Sequence, residues 1–189
     1  MRKLILCSTA GIVVGVGGVA AAYAASATAY PTKPVRIIVG FTAGGGTDVA
    51  ARILAQRLTD TVKQQFVVEN RPGASGAIGT DLVARAAPDG YTLSVGTTTT
   101  HSVVPQLVPS TPYNPVRDFA HVTQIANSPL FLVVHPSTQI KTAADLVKLA
   151  KARPDQLNYG CGGVGTTPHM AGELFKLMTG TRMEMVAYK

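Results

Sequence analysis

The chain has 189 residues, with 17 Lys and Arg against 10 Asp and Glu, a formal net charge of +7, two cysteines and no tryptophan. Its basic residues are scattered, with neither a Lys/Arg run nor an aromatic stacking platform beside one, which argues against nucleic acid as a partner. The four histidines, His101, His121, His135 and His169, are too dispersed for a local metal motif, so no metal site is expected.

Arg2 and Lys3 precede an uncharged stretch from Leu4 to Ala22, and small residues follow. That order is the layout of a secretory signal peptide. Two A-x-A sites, Ala22-Tyr23-Ala24 and Ala25-Ser26-Ala27, put the expected mature start at Ala25 or Thr28, so residues 1–27 are assigned to the leader. The stretch approaches the length needed to span a membrane, but Gly11, Gly15, Gly17 and Gly18 make it a poor helix. Leu6 stands before Cys7 where lipidation wants a small residue. Without the leader, fifteen basic and ten acidic residues leave +5, a modest bias toward anionic ligands. One cysteine then remains, Cys161, so an oxidising compartment supplies no internal disulfide.

From there strand-like and helix-like runs alternate, the pattern of an α/β domain with a largely parallel sheet. The β-branched run Val35 to Phe41 reads as a strand, and Gly44-Gly45-Gly46 turns it into a helix from Thr47 to about Val62. Val49, Ile53, Leu54 and Leu58 recur at helical spacing and predict its buried face. Thr47 and Asp48 supply cap chemistry at its start. Phe66 to Glu69 reads as a second strand, Arg71 to Gly76 as a loop, and the residues through Leu82 to Ala86 as a short helix. Pro88-Asp89-Gly90 turns into a third strand, Tyr91 to Gly96.

Pro105, Pro109, Pro112 and Pro115 mark a short helix or an irregular excursion. Phe119 to Ala126 and Leu130 to His135 read as two further strands, and Asn127-Ser128-Pro129 between them as the crossing into a second lobe. The expected division is therefore lobe 1 over residues 28–126 and part of lobe 2 over 127–189. Thr142 and Asp145 form a capping pattern for a helix through Ala152 that ends before Pro154. Leu157-Asn158-Tyr159 reads as a short strand, the residues from Thr167 or Pro168 to Met178 as a helix, and Met183 onward as a last strand. That final strand has no closing helix after it, which suggests a fragment.

Two segments repeat one design of strand, glycine-dense turn, threonine and helix: Phe41 to Asp48, and Tyr159 to Thr167. Glycine lets backbone approach a ligand closely, and a helix's first turn offers unpaired N–H groups at a positive dipole end, so both suit an anion. One helix terminus contributes roughly 0.3–2 kcal/mol to holding a charge, against the ~8 kcal/mol of micromolar affinity. A working site therefore needs both loops on one ligand. Each glycine run equally fits a plain tight turn.

Gly160, Gly162 and Gly165 also match G-x-G-x-x-G spacing, with Glu184 beyond, which opens the alternative of an exported enzyme holding a dinucleotide. The late position of the unit and the placement of Glu184 within a strand weigh against it, and no cofactor is expected. The first loop lacks the lysine of a phosphate-binding P-loop, and Gly73-Ala74-Ser75-Gly76 is not a nucleophile elbow. Cys161 with His169 is a weak nucleophile–base pairing. His169 and Glu173, four residues apart, suit a pair on a helix surface.

Taken together, Tyr30 to Val39, Ala43-Gly44-Gly45-Gly46-Thr47-Asp48, Glu69-Asn70-Arg71-Pro72-Gly73-Ala74, Pro88 to Leu93, Asn114-Pro115, Asp118-Phe119 and Gly162 to His169 resemble the Bug (TctC-type) extracytoplasmic receptors of tripartite tricarboxylate transporters. The resemblance implies an α/β, two-lobed periplasmic-binding-protein architecture (type II, Venus flytrap), with the second lobe incomplete. It also implies a nonenzymatic, periplasmic receptor, monomeric when complete, that hands a small organic acid to membrane permease subunits. In such receptors the loops matching Thr42, Ala43, Gly44, Gly45, Gly46, Thr47 and Asp48, and Gly160, Cys161, Gly162, Gly163, Gly165 and Thr166, pinch a carboxylate, with His169 just beyond. Loops matching Gly73 to Gly76, with Ser75 among them, and Thr97 to Thr100, with Thr98 among them, line the rest of the cleft. Ligands of the family include di- and tricarboxylates, acidic amino acids and aromatic acids. Cys161 replaces a frequent serine and Thr42 a usual proline. A sensor signalling to a membrane kinase would look the same in sequence.

Overall fold

The β-branched run Val35–Val39 forms the central strand, β1, of a three-stranded sheet in the computed structural model, which describes residues 30–188. The leader and its cleavage sites lie outside the described residues. The chain divides into two compact units, Met1–Thr32 and Lys33–Lys189, and every element below belongs to the second.

β1 pairs in parallel with β2 (Phe66–Asn70) on one side and with β3 (Thr92–Ser94) on the other. Parallel neighbours require crossovers. Helix α1 (Gly46–Val62) makes the first, and a short 3₁₀ turn, Ala74–Gly76, followed by α2 (Ala77–Ala84) makes the second. Flanked on both sides, β1 is almost wholly buried at Val35, Ile37, Ile38 and Val39. Ile37 and Val39 pack with Ala51 and Ala55 of α1, and Phe41, Phe66, Val68, Leu93 and Val95 close around them.

This corrects the expected face of α1. Asp48, Ala51 and Ala55 are its buried residues, whereas Val49 and Ile53 are 48% and 61% exposed and Leu54 and Leu58 only half-buried. Alanines at the contact let the helix lie close on the sheet, and the larger side chains are turned to its flanks. The cap differs too. Gly45 is the N-cap, with no side-chain cap, and Asp48 reaches back to the Gly44 N–H at 2.9 Å.

After β3 the chain makes one wide π-type turn, Thr99–Val103, and a short helix α3, Val104–Leu107. Val104 joins Ala77 and Tyr113 in a second small core, with Ala84 and Phe119 against it. The two strands expected over 119–135 do not form: residues 119–135 are irregular and, beyond Phe119, exposed, with Phe131 and Val133 more than 80% accessible. β-branched content favours extended backbone, but a strand exists only through hydrogen bonds to a neighbour. Among the described residues no strand pairs with this segment.

Helix α4 (Ala143–Ala152) starts at Thr142 with the expected capping box to Asp145. β4 (Asn158–Cys161), α5 (Thr167–Thr179) and β5 (Glu184–Ala187) form a second parallel unit, with Cys161 opposite Ala187. Gly160 and Cys161, expected in the loop, are thus the end of the strand. A Cβ on Gly160 would sit 3.0 Å from the Tyr188 ring, so this glycine has a packing reason.

Candidate functional site

Both glycine loops leave the carboxyl ends of parallel strands and enter helices, the position where open α/β sheets bind ligands. The first is fixed from beneath by a brace. The buried Asp48 carboxylate accepts from the Gly44 N–H (2.9 Å), Arg52 Nε (3.0 Å) and Asn70 Nδ2 (2.9 Å). Asn70 also donates to the Phe41 carbonyl at 3.1 Å and accepts from Arg52 Nη2 at 3.0 Å. The Arg52 guanidinium, then the Gly44 and Asn70 donors, hold the Asp48 carboxyl down at about 2. With its lone pairs so occupied, Asp48 shapes the loop and is not available to a ligand.

Above the brace, α1 presents the first-turn N–H groups of Gly46, Thr47 and Asp48 without an acceptor inside the helix and without a side-chain cap. The glycines differ in what they need. Gly44 takes φ +84°, a conformation that demands glycine, but Gly45 and Gly46 have ordinary φ. A Cβ on Gly46 would meet nothing within 4 Å, and one on Gly45 only the Thr42 carbonyl at 3.6 Å. Gly162, in the second loop, likewise has open space and no unusual φ. Neither backbone conformation nor packing accounts for these three glycines.

The second loop is built differently. Gly163 and Gly165 have positive φ. Cys161 is buried, and its Sγ donates to the Gly163 carbonyl at 3.6 Å. Thr166 Oγ1 donates to the same carbonyl at 2.7 Å. The Gly165 N–H donates to His169 Nδ1 at 3.1 Å, which places the ring proton on Nε2, 3.8 Å from Glu173. Glu173 also takes Tyr159 Oη–H at 2.6 Å and Lys176 Nζ at 2.8 Å. Burial, then the Glu173 carboxylate, raises the Tyr159 phenol. At the start of α5 the Thr167 N–H donates to Thr99 Oγ1 at 3.2 Å, and Pro168 has no N–H. The two helix termini are therefore not equivalent, because α1 is open and α5 is partly filled.

One broad cleft of about 2280 Å³ is lined by Thr42, Gly46, Thr47, Gly73, Ser75, Gly76, Thr97, Thr98, Gly162, Gly163 and Thr166. Ala43, Gly44, Gly45, Asp48, Gly160, Cys161, Gly165 and His169 do not line it. The volume exceeds the ~300–1,000 Å³ of a small-molecule site, so these walls border a ligand space without enclosing it. Thr97 Oγ1 and Thr100 Oγ1 are 3.4 Å apart, and Thr100 Oγ1 meets His101 Nδ1 at 2.8 Å. Burial, and then His121, lowers the His101 imidazole, which favours its neutral form. Sequence reasoning missed two contributors, Arg52 and Asn70, and gave Thr99 only as part of the Thr97 to Thr100 lining loop. Asn70 lies within the Glu69 to Ala74 motif.

The fold and the paired strand-to-helix glycine loops are those of α/β periplasmic binding proteins. The chain belongs to the TctC family, described as the tripartite tricarboxylate transporter family receptor, whose sequence profile matches residues 50–189. It is 40% identical over 190 residues to Protein BugT of Bordetella pertussis, covering 100% of this chain and 58% of that protein. Among solved structures, R. palustris Rpa4515 with adipate superposes with a TM-score of 0.82 at 41% identity, over 85% of this chain and 54% of that one. MatC (Rpa3494) from Rhodopseudomonas palustris with bound malate gives 0.77 at 30% identity, over 84% and 54%. The chain thus spans about half the length of the relatives it matches. The family consists of receptors and not enzymes, so the dinucleotide-enzyme alternative falls, and the packing of Gly160 against Tyr188 explains one glycine of that motif without a cofactor.

Proposed function

We propose that the protein is an extracytoplasmic solute receptor that takes a small carboxylate (a di- or tricarboxylate, acidic amino acid or aromatic acid) between its two lobes and delivers it to a tripartite tricarboxylate-type permease. The observation that carries this reading is the pair of glycines on the cleft wall, Gly46 and Gly162, which have space for a side chain and no conformational need for glycine. Close approach of a ligand to bare backbone accounts for them. The uncapped first turn of α1 supplies the N–H donors and the positive dipole end that suit a carboxylate.

The malate and adipate held by the two structural neighbours support a ligand in the class of short aliphatic diacids. On this reading a first carboxylate sits on the loop from Thr42 to Thr47, the loop from Gly162 to Thr166 closes over it, and Gly73 to Gly76 with Thr97 and Thr98 border the remainder. Lobe 1 then comprises residues 28–126 and lobe 2 begins at 127. The protein works in the periplasm after removal of residues 1–27, as a monomer and without nucleic acid. The test is thermal denaturation of the purified protein against a panel of carboxylic acids, because a ligand of the folded state raises its melting temperature. At least one acid is expected to do so, with a dependence on concentration. A folded protein indifferent to the whole panel refutes the proposal.

A further inference from the structure

The second glycine loop is not free over the cleft; it is seated on the first lobe by side chains. Ser75 Oγ donates to the Val164 carbonyl at 2.6 Å. Thr99 Oγ1, buried, accepts from the Thr167 N–H at 3.2 Å and lies 3.3 Å from Thr167 Oγ1. Between these two points Gly165 rests on Val103, Val104 and Leu107, close enough that an added Cβ would touch all three.

The element that supplies Ser75 is unusual. Gly73, Ala74, Ser75 and Gly76 have φ of +133°, +46°, +52° and +91° in succession. The left-handed region is unfavourable for alanine and serine, and Gly76 packs so close to Gly40 that a Cβ added there would lie 3.0 Å from the Gly76 Cα. A backbone held in such a state persists only where its surroundings over-determine it. Here it aims Ser75 at the opposite loop.

We propose that Ser75 and Thr99 form a latch that seats the loop 162–166 on the first lobe, and that they are positioning residues for the carboxylate site. Thr99 does this by accepting the first N–H of α5 from another part of the chain, as a capping side chain would. Ser75 spends its proton on Val164 and does not donate to the ligand. A protein already seated avoids the affinity penalty of a sparsely populated competent state. The affinity part of the proposal rests on the carboxylate-receptor reading above; the seating itself does not.

The experiment compares parent, Ser75→Ala, Thr99→Val and the double variant, with Thr99→Ser as the conservative control that keeps the hydroxyl. Amide hydrogen exchange of the ligand-free protein is the first readout. Loss of both hydrogen bonds is expected to speed exchange at Thr166 and Thr167 roughly tenfold, with β1 and α1 unchanged and Thr99→Ser like the parent. Unchanged exchange in the double variant overturns the latch. Calorimetric titration with adipate and with malate is the second readout, and both acids are expected to weaken by one common factor. A loss confined to one acid makes Ser75 a ligand contact and overturns its role here. Faster exchange with unaltered affinity overturns the positioning role. If neither acid binds the parent, those ligands fail, and exchange alone decides the latch.

Discussion

Replacing Gly46 by alanine separates a glycine kept for folding from one kept for a ligand. Gly46 is the first residue of α1, has no positive φ, and has open space where a Cβ would project. Alanine there restricts the unfolded chain without straining the folded one, a gain of about 0.4–1 kcal/mol, equivalent to roughly 1–4 °C in melting temperature for a domain of this size. On the proposed function, the same methyl group stands between the carboxylate and the first-turn N–H groups. Loss of one or two hydrogen bonds to a charged group, about 1.5–3 kcal/mol each, weakens binding at least tenfold. Calorimetric unfolding and titration with the best acid of the panel measure the two effects on one sample. Gly40→Ala is the internal contrast, because its Cβ would lie 2.6 Å from the Gly76 carbonyl oxygen, and overpacking against backbone costs about 1–3 kcal/mol. A Gly46→Ala protein that is less stable than the parent, or that binds equally well, refutes the assignment of Gly46 to a ligand.

Two further outcomes follow from the framework around the site. Asp48, held by Arg52, Gly44 and Asn70, and Glu69, held by Arg36 and then Arg71, both sit at about 2 in the folded protein. Their folded values lie below the unfolded ones, so their stabilisation is complete above about pH 4.5 and is lost as pH falls toward 2. Urea midpoints between pH 6 and 2 should fall, and Asp48→Asn with Glu69→Gln should flatten that fall; an unchanged slope in the double variant removes these two groups as its source. Ala74→Gly, which releases a left-handed alanine, should raise stability by about 1 kcal/mol, read from the urea midpoint at pH 7. A midpoint that stays or drops shows that the turn is not strained.

What the sequence disclosed was local. β1, α1 and the Thr142 capping box are written in consecutive residues, through β-branching, helical spacing and cap chemistry, and they formed within a few positions of where they were expected. The face of α1 was misread because large apolar side chains dominate any count of periodicity, while the contact itself is made by Ala51 and Ala55. The 119–135 segment was misread because composition reports a preference for extended backbone, and pairing depends on a neighbour the composition does not name. Of the site, the two glycine loops were visible as runs. Which glycines are structural was not: Gly160 is explained by Tyr188, far along the chain, whereas Gly46 is explained by nothing in the fold. The Asp48–Asn70 and Thr99–Thr167 contacts join residues 22 and 68 positions apart, and no local pattern encodes such a meeting.

The exposed run Leu130-Phe131-Leu132-Val133-Val134-His135 sets how the protein must be handled. Six residues without a formal charge, rich in β-branched and aromatic side chains and largely accessible, meet the description of a segment prone to cross-β stacking. Pro129 and Pro136 stand immediately on either side, and a proline has no N–H to extend a ladder. They occupy the flanking positions of gatekeeper residues, where an added strand ladder would have to stop. In this chain, which spans about half the length of its relatives, raising the concentration is the condition expected to bring these runs together.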